Sequence, residues 1–146
     1  VQMKADNGMR YLSEEEYPKK EIKLNLENGV FKLPVLINNK IALDFILDLG
    51  AADVSISTDV YQVLLKTGSI SNSDFIGEQV YKFADGTSAK TKVILLKVLK
   101  IGDIEIKNVR TSISTSIDAP LLLGQSALKQ LGKYQIDNKR SMLIIE

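Results

Sequence analysis

The chain of 146 residues contains neither cysteine nor histidine. Their absence excludes disulfides, thiol nucleophiles, Cys/His zinc sites and the Ser-His or Cys-His catalytic pairs within this chain. Any proton transfer therefore falls to Asp, Glu, Lys, Ser or Tyr side chains. The lack of cysteine fits a reducing cytoplasm, and it also fits an exported domain of the cell envelope or periplasm that never relied on disulfides. It leaves the location open.

An excess of charge of one sign and a long apolar run are also missing. The 19 Lys and Arg residues nearly balance the 18 Asp and Glu residues, for a net charge of +1. There is thus no electrostatic reason to expect nucleic acid or an anionic membrane as partner. No stretch reaches the roughly 18 uninterrupted apolar residues of a membrane helix. The length and the 45% hydrophobic content are typical of one globular domain.

The first twenty residues differ from the remainder. They contain Glu14-Glu15-Glu16 and Lys19-Lys20 and show little periodic hydrophobicity. This composition predicts a flexible charged N-terminal arm over residues 1–20, and a single domain over residues 21–146. A pro-segment or a docking arm is the less supported alternative.

From residue 21 onward the sequence predicts mostly β structure. Short apolar and β-branched runs alternate with turn signals, of which Asn38-Asn39 and Asp85-Gly86 are typical of hairpins. The predicted strands include 21–26, 30–37, 41–47, 53–57, 75–83, 87–99, 121–123, 134–136 and 142–145. Two short helices are predicted, one capped by Thr58 and ended by Gly68, the other from Ser126 to Leu131. The predicted architecture is a small closed β-barrel.

Asp48 stands at the end of the apolar run 41–47 and is followed by Leu49-Gly50-Ala51. Two interpretations are open. Asp commonly begins an ordinary turn, and four residues alone favour that interpretation. The alternative is a catalytic carboxylate, presented on a glycine turn at the end of a buried strand. The remaining sequence has to decide between them.

A second motif follows about seventy residues later. Leu121-Leu122-Leu123-Gly124 is a short buried strand stopped by glycine and followed by a predicted helix. The order of hairpin, Asp-x-Gly-Ala loop, strand, helix, Asp-Gly hairpin and Leu-Leu-Leu-Gly resembles the retropepsin-like aspartic proteases. The resemblance extends over residues 28–146, and it is strongest to bacterial members that carry Ala-Pro before the leucines, as Ala119-Pro120 does here.

The resemblance implies an acid-protease-type barrel with one pepsin-like lobe per chain. It also implies a homodimeric aspartic endopeptidase, in which Asp48 from each of two copies forms a dyad that activates water against an extended peptide or protein substrate. One Asp-x-Gly loop cannot supply both carboxylates, so a second copy must bring the other. Such chemistry needs no metal and no cofactor.

The resemblance also assigns roles to individual residues. The active-site loop comprises Leu49, Gly50 and Ala51. The flap that covers the substrate comprises Ala84, Asp85, Gly86 and Thr87. Support for the loop comes from Leu122, Leu123 and Gly124. From the residues alone, Asp85-Gly86 is a surface hairpin and the leucines are ordinary core. Among other carboxylates, we expect Asp44 to be solvated, Asp53 to contact substrate or a basic residue, and Asp118 to lie in a turn.

Leu49 departs from the family. The usual residue is Thr or Ser, whose hydroxyl hydrogen-bonds across the dimer axis, and leucine can neither donate nor accept such a bond. Three interpretations stay open: a natural variant of weak activity, an inactive relative kept for binding, or a substitution introduced for crystallisation. The alternative function is therefore a catalytically weak or inactive peptide-binding or dimerisation module. A structural barrel domain of a larger envelope protein is a third, weaker possibility.

Overall fold

A computed structural model describes residues 3–4, 10–11, 19–82 and 84–146. Its strands are β1 (Met3–Lys4), β2 (Arg10–Tyr11), β3 (Lys20–Lys23), β4 (Asn25–Glu27), β5 (Val30–Ile37), β6 (Ile41–Leu47), β7 (Val54–Ile56), β8 (Phe75–Lys82), β9 (Ser88–Ile101), β10 (Ile104–Ile113), β11 (Leu122–Leu123), β12 (Tyr134–Asp137) and β13 (Met142–Ile145). Its helices are α1 (Thr58–Lys66), α2 (Gln125–Leu128) and two single 3-10 turns, Asn72–Asp74 and Lys129–Leu131.

The main sheet has eight strands in the order β4-β5-β6-β11-β7-β10-β9-β8. The end of β5 also pairs with β9, through Leu36↔Lys100 and Ile37↔Leu99, and this pairing joins the two sides of the sheet into a ring. The β6–β11 and β7–β10 pairs are parallel, whereas β11 runs antiparallel to β7. The predicted fold class, mostly β with short helices, is confirmed.

The core fills this ring because alternate residues of each strand point inward. Along β5 and β6, Leu33, Val35, Ile37 and Phe45 are completely buried. Apolar residues from β9, β10, β11 and both helices complete the core; they include Leu64, Leu96, Leu99, Val109, Leu123 and Leu128. Burying each such side chain contributes about 1.5–3 kcal/mol, so the ring is the main source of stability.

The predicted strand 21–26 is wrong in one respect, because it is two strands in two different sheets. β3 pairs with β13 in a small sheet of order β12-β13-β3, whereas β4 pairs with β5. The break falls at Leu24, which is 1% exposed and whose backbone N–H donates to the Ser141 carbonyl at 2.8 Å. Leu26 is 60% exposed, so the two leucines differ in burial, although alternation along one strand would place them on the same face.

The N-cap of helix α1 lies one residue earlier than predicted. The N-cap is Ser57, whose backbone is extended and whose hydroxyl accepts from the Val60 N–H at 3.4 Å. Thr58 is instead the first helical residue, and its hydroxyl donates to the Ser114 carbonyl at 2.5 Å. At the other end Gly68, with φ of +72°, stops the helix as predicted.

The predicted arm, residues 1–20, lies largely outside the described residues. Within it, β1 and β2 pair antiparallel, and β3 begins at Lys20. None of the helices in the described part of the chain is long and apolar enough to cross a membrane.

Candidate active site

Asp48 directly follows β6, at the point where β6 lies beside β11. Ile46 and Leu47 pair in parallel with Leu122 and Leu123, and the Asp48 N–H donates to the Leu123 carbonyl at 3.2 Å. Leu123 is completely buried, whereas Leu122 is partly exposed. The strand that carries Asp48 is therefore held by the second leucine motif, across a separation of about seventy residues in the sequence.

The Asp48 carboxylate folds back over its own turn. Its Oδ1 accepts from the Gly50 N–H at 3.0 Å, and the Ala51 N–H donates to the Asp48 carbonyl at 3.3 Å. Both bonds satisfy backbone donors of the loop, and the bond from Gly50 restricts the orientation of the carboxylate. Asp48 is partly exposed, so its other oxygen can reach solvent or a ligand.

The loop after Asp48 rests on the start of α2. The N–H groups of Gln125 and Ser126 donate to the carbonyls of Ala51 and Ala52 at 2.8 and 2.9 Å. At Gly124 an added Cβ would lie 2.3 Å from the Asp53 carbonyl oxygen and 2.7 Å from that of Ala51. Both atoms belong to the backbone, so only glycine allows this close approach.

Gln125 adds a side-chain contact that sequence reasoning missed. Its Nε2 donates to the Leu49 carbonyl at 2.8 Å. The Leu49 side chain points away from the core and is 50% exposed. The sequence signal for this contact is the position of Gln125, directly after the glycine of the second motif.

The β8–β9 hairpin extends beyond the ring and ends at residues 84–87. At its tip the Thr87 hydroxyl and N–H donate to Asp85 Oδ1, at 2.6 and 2.9 Å. These hydrogen bonds, with the hydroxyl the larger cause, hold the pKa of the Asp85 carboxyl below its ordinary value. Ala84 and Gly86 complete the exposed turn, and Gly86 has a φ of +88°.

A cavity of about 440 Å³ separates this hairpin from the loop after Asp48. Its lining combines small apolar, hydroxyl and charged side chains: Ala51, Ala52, Asp53, Ser55, Tyr81, Lys82, Ala89, Thr91, Ser112, Ser114, Thr115 and Leu122. Thr91 Oγ1 is buried and has no hydrogen-bond partner among the residues described. The described residues include no cluster of three or more acidic, His or Cys side chains that could hold a metal ion.

The three competing carboxylates differ in their surroundings. Asp44 is exposed on β6 and Asp118 is exposed in a turn, as expected. Asp53 makes an ion pair: Arg110 Nε lies 3.2 Å from Asp53 Oδ2. Of the site residues predicted from the sequence, Ala51 and Leu122 line this cavity, whereas Asp48 and the hairpin tip 84–87 are not among its lining residues. Arg110, which sequence reasoning did not single out, contacts the lining residue Asp53.

Two comparisons with known proteins found matches. The sequence profile of the family described as "gag-polyprotein putative aspartyl protease" matches residues 33–130. A solved structure of a retropepsin-like aspartic protease from Rickettsia conorii aligns with a TM-score of 0.64 and 26% identity, over 88% of this chain and 89% of that chain. A search of curated proteins found no match.

Proposed function

The chain belongs to the gag-polyprotein aspartyl protease family, and on that premise we propose that it is a homodimeric aspartic endopeptidase whose catalytic residue is Asp48. The observation that carries the proposal is the placement of this carboxylate. It stands on a glycine turn, directly after a strand that the Asp48–Leu123 backbone bond holds in place. The next residues of the same loop, Ala51 and Ala52, line the cavity under the β8–β9 hairpin.

The chemistry follows from two such carboxylates meeting on a two-fold axis. Two carboxylates in contact cannot both ionise readily, so they share one proton. The ionised member takes a proton from a water molecule as that water attacks the peptide carbonyl, and the protonated member donates to the carbonyl oxygen. The carboxyl that took the proton from water then donates it to the leaving nitrogen, while the other carboxylate recovers a proton from a hydroxyl of the tetrahedral diol. The C–N bond breaks, which releases an amine and a carboxylic acid and restores the dyad with its one shared proton. No covalent intermediate forms.

The shape of the cavity supports an extended peptide as the substrate. One wall is the loop with Ala51, Ala52 and Asp53, and the opposite wall is the β8–β9 hairpin with Tyr81, Ala89 and Thr91. The small side chains Ala51, Ala52 and Ala89 leave backbone on both walls accessible to a peptide, and hairpins can bind a peptide by main-chain hydrogen bonds. We propose that residues 84–87 act as the tip of a flap that closes over this peptide and excludes water.

A second candidate is a peptide-binding or dimerisation module of low or no activity. Leu49 favours it, because a half-exposed leucine replaces the hydroxyl that would join the two loops. Two copies of Leu49 can pack together on the axis, but they leave the polar connection between the loops unmade.

Cleavage of an unstructured protein between about pH 4 and pH 7 tests the first candidate, since one dyad member must hold a proton. Wild type should cleave and Asp48→Asn should not. Asp44→Asn is the matched control, because Asp44 is an exposed carboxylate on the same strand. Equal cleavage by wild type and Asp48→Asn would show that Asp48 is not the catalytic residue.

Leu49→Thr separates the two candidates. If this variant dimerises and cleaves faster than wild type, the chain is a protease weakened by leucine. If it dimerises and binds peptide but cleaves nothing, the binding module is favoured.

A further inference from the structure

We propose that Arg110 is a positioning residue that couples the β8–β9 hairpin to the loop after Asp48. Its consequence for catalysis rests on the function proposed above, whereas the coupling itself is a property of the fold. The proposal concerns three side chains from three elements: Arg110 on β10, Asp53 in the loop, and Gln79 on β8.

The Arg110 guanidinium bridges the other two side chains. Its Nε donates to Asp53 Oδ2 at 3.2 Å, and its Nη2 donates to Gln79 Oε1 at 2.6 Å. Asp53 is 15% exposed and lines the cavity, while the Arg110 side chain is 41% exposed. A planar guanidinium has donors that point in several fixed directions, so one side chain can hold two partners at once.

The backbone of Arg110 is held in place by the barrel. Its backbone pairs with Leu95 on β9, and its carbonyl accepts from the Ser126 hydroxyl at 2.7 Å. The same hydroxyl accepts from the Val54 N–H at 2.8 Å, next to Asp53. The guanidinium thus extends from β10, a strand paired on both sides, toward the loop and toward β8, the edge strand of the sheet.

Gln79 is well placed to transmit this constraint to the cavity. It pairs with Thr91 on β9, so the two side chains share one face of the hairpin. Thr91 lines the cavity, and its buried Oγ1 lacks a partner among the described residues. By holding Gln79, Arg110 therefore determines how far the Thr91 hydroxyl in the cavity wall lies from the loop and from any bound peptide.

Amide hydrogen exchange of residues 75–82 tests the coupling without any need for activity. The proteins are wild type, Arg110→Met, Gln79→Met and the double variant. Each single change should speed exchange in β8 by about three- to tenfold, because it removes one partly exposed, charge-assisted hydrogen bond. The double variant should exchange no faster than the faster single variant, because both changes remove the same contact.

Arg140→Met is the matched control. Arg140 is the other arginine whose side chain the structure describes, and it pairs with Glu21 near the β12–β13 turn. It should leave exchange in β8 unchanged. Unchanged β8 exchange in Arg110→Met, or a double variant that shows the product of both effects, would overturn the coupling. If Arg110→Met does not fold, unchanged exchange of β8 in Gln79→Met would overturn the coupling instead.

Peptide cleavage by the same proteins then tests the consequence. If wild type cleaves, kcat/KM should fall about three- to tenfold in either single variant and no further in the double variant. Full activity in the variants with faster β8 exchange would overturn the positioning role. If wild type cleaves nothing, the proposed function fails, while the exchange data still decide the coupling.

Discussion

Gln125 donates from Nε2 to the Leu49 carbonyl, while its own backbone N–H donates to the Ala51 carbonyl, both at 2.8 Å. One residue therefore holds the loop on both sides of Gly50. The hydroxyl that would join two loops across a dimer axis is missing at position 49. The loop is instead fixed from within its own chain, by the first residue of α2.

We expect Gln125→Met to loosen this loop. The variant keeps the length of the side chain but removes the donor, which should cost about 0.5–1.5 kcal/mol of the free energy of unfolding. If Asp48 is catalytic, kcat should also fall by about three- to tenfold, because the carboxylate is held less well. Urea unfolding and steady-state kinetics measure the two effects.

Gln130→Met is the control for that experiment. Gln130 makes two comparable bonds to the backbone of Lys107, accepting at 3.1 Å and donating at 2.8 Å. Its loss should lower stability by a similar amount and leave kcat unchanged. An equal fall of kcat in both variants would show that Gln125 has no particular effect on the loop.

Gly124→Ala should destabilise the protein more strongly. The new Cβ would stand 2.3 Å from a backbone carbonyl oxygen, so either the loop or the start of α2 must move, at a cost of about 3 kcal/mol or more. Gly29→Ala is the comparison, since Gly29 has a φ of +81° but nothing within 4 Å of its Cβ position. That change should cost only about 1–2 kcal/mol, from backbone strain alone. Similar unfolding midpoints for the two variants would contradict the close-approach explanation.

The local elements were predictable because their signals are local. The Asn38-Asn39 turn lies between β5 and β6, with both residues at positive φ, and the hairpin at Asp85-Gly86 lies between β8 and β9. The end of α1 at Gly68 was predicted for the same reason. In each case the side chain or its absence determines the backbone conformation within a few residues.

The partners of β3 and the contacts of Arg110 were not predictable in this way. Leu24 breaks the strand 21–26 because its N–H meets Ser141, which lies more than a hundred residues away in the sequence. Arg110 likewise meets Asp53 and Gln79 only after β7, β8 and β10 have taken their places. Alternation indicates which residues face inward but does not specify the neighbouring strand.

The tip of the β8–β9 hairpin should respond to acid. The Thr87 hydroxyl and N–H lower the pKa of Asp85 below 3.8, so the ionised carboxylate favours the turn. This contribution is fully present above the ordinary value and is lost as the pH falls through the lowered pKa. An NMR titration of the Asp85 carboxyl carbon and the Thr87 amide proton should therefore show a midpoint below 3.8.

Thr87→Val tests the cause of that shift. It removes the hydroxyl, the larger contribution, and should raise the midpoint of Asp85 toward 3.8, whereas Thr87→Ser should keep it low. If valine and threonine give the same midpoint, the hydroxyl does not stabilise the ionised carboxylate.

Leu49→Lys should dissociate the proposed dimer. A two-fold axis through the loops repeats every change, so two leucines lose their contact and two ammonium groups take their place. Losing about 1 kcal/mol of apolar burial at each copy corresponds to a dimer dissociation constant about thirty-fold higher, before any repulsion is added. Val63→Lys is the matched control on α1, because Val63 is 49% exposed and Leu49 is 50% exposed. Sedimentation of a dilution series should show that Leu49→Lys dissociates with a constant at least about thirty-fold higher than wild type, whereas Val63→Lys dissociates like wild type. If Leu49→Lys dimerises as tightly as wild type, the two loops do not meet on the axis, and Asp48 has no partner carboxylate there.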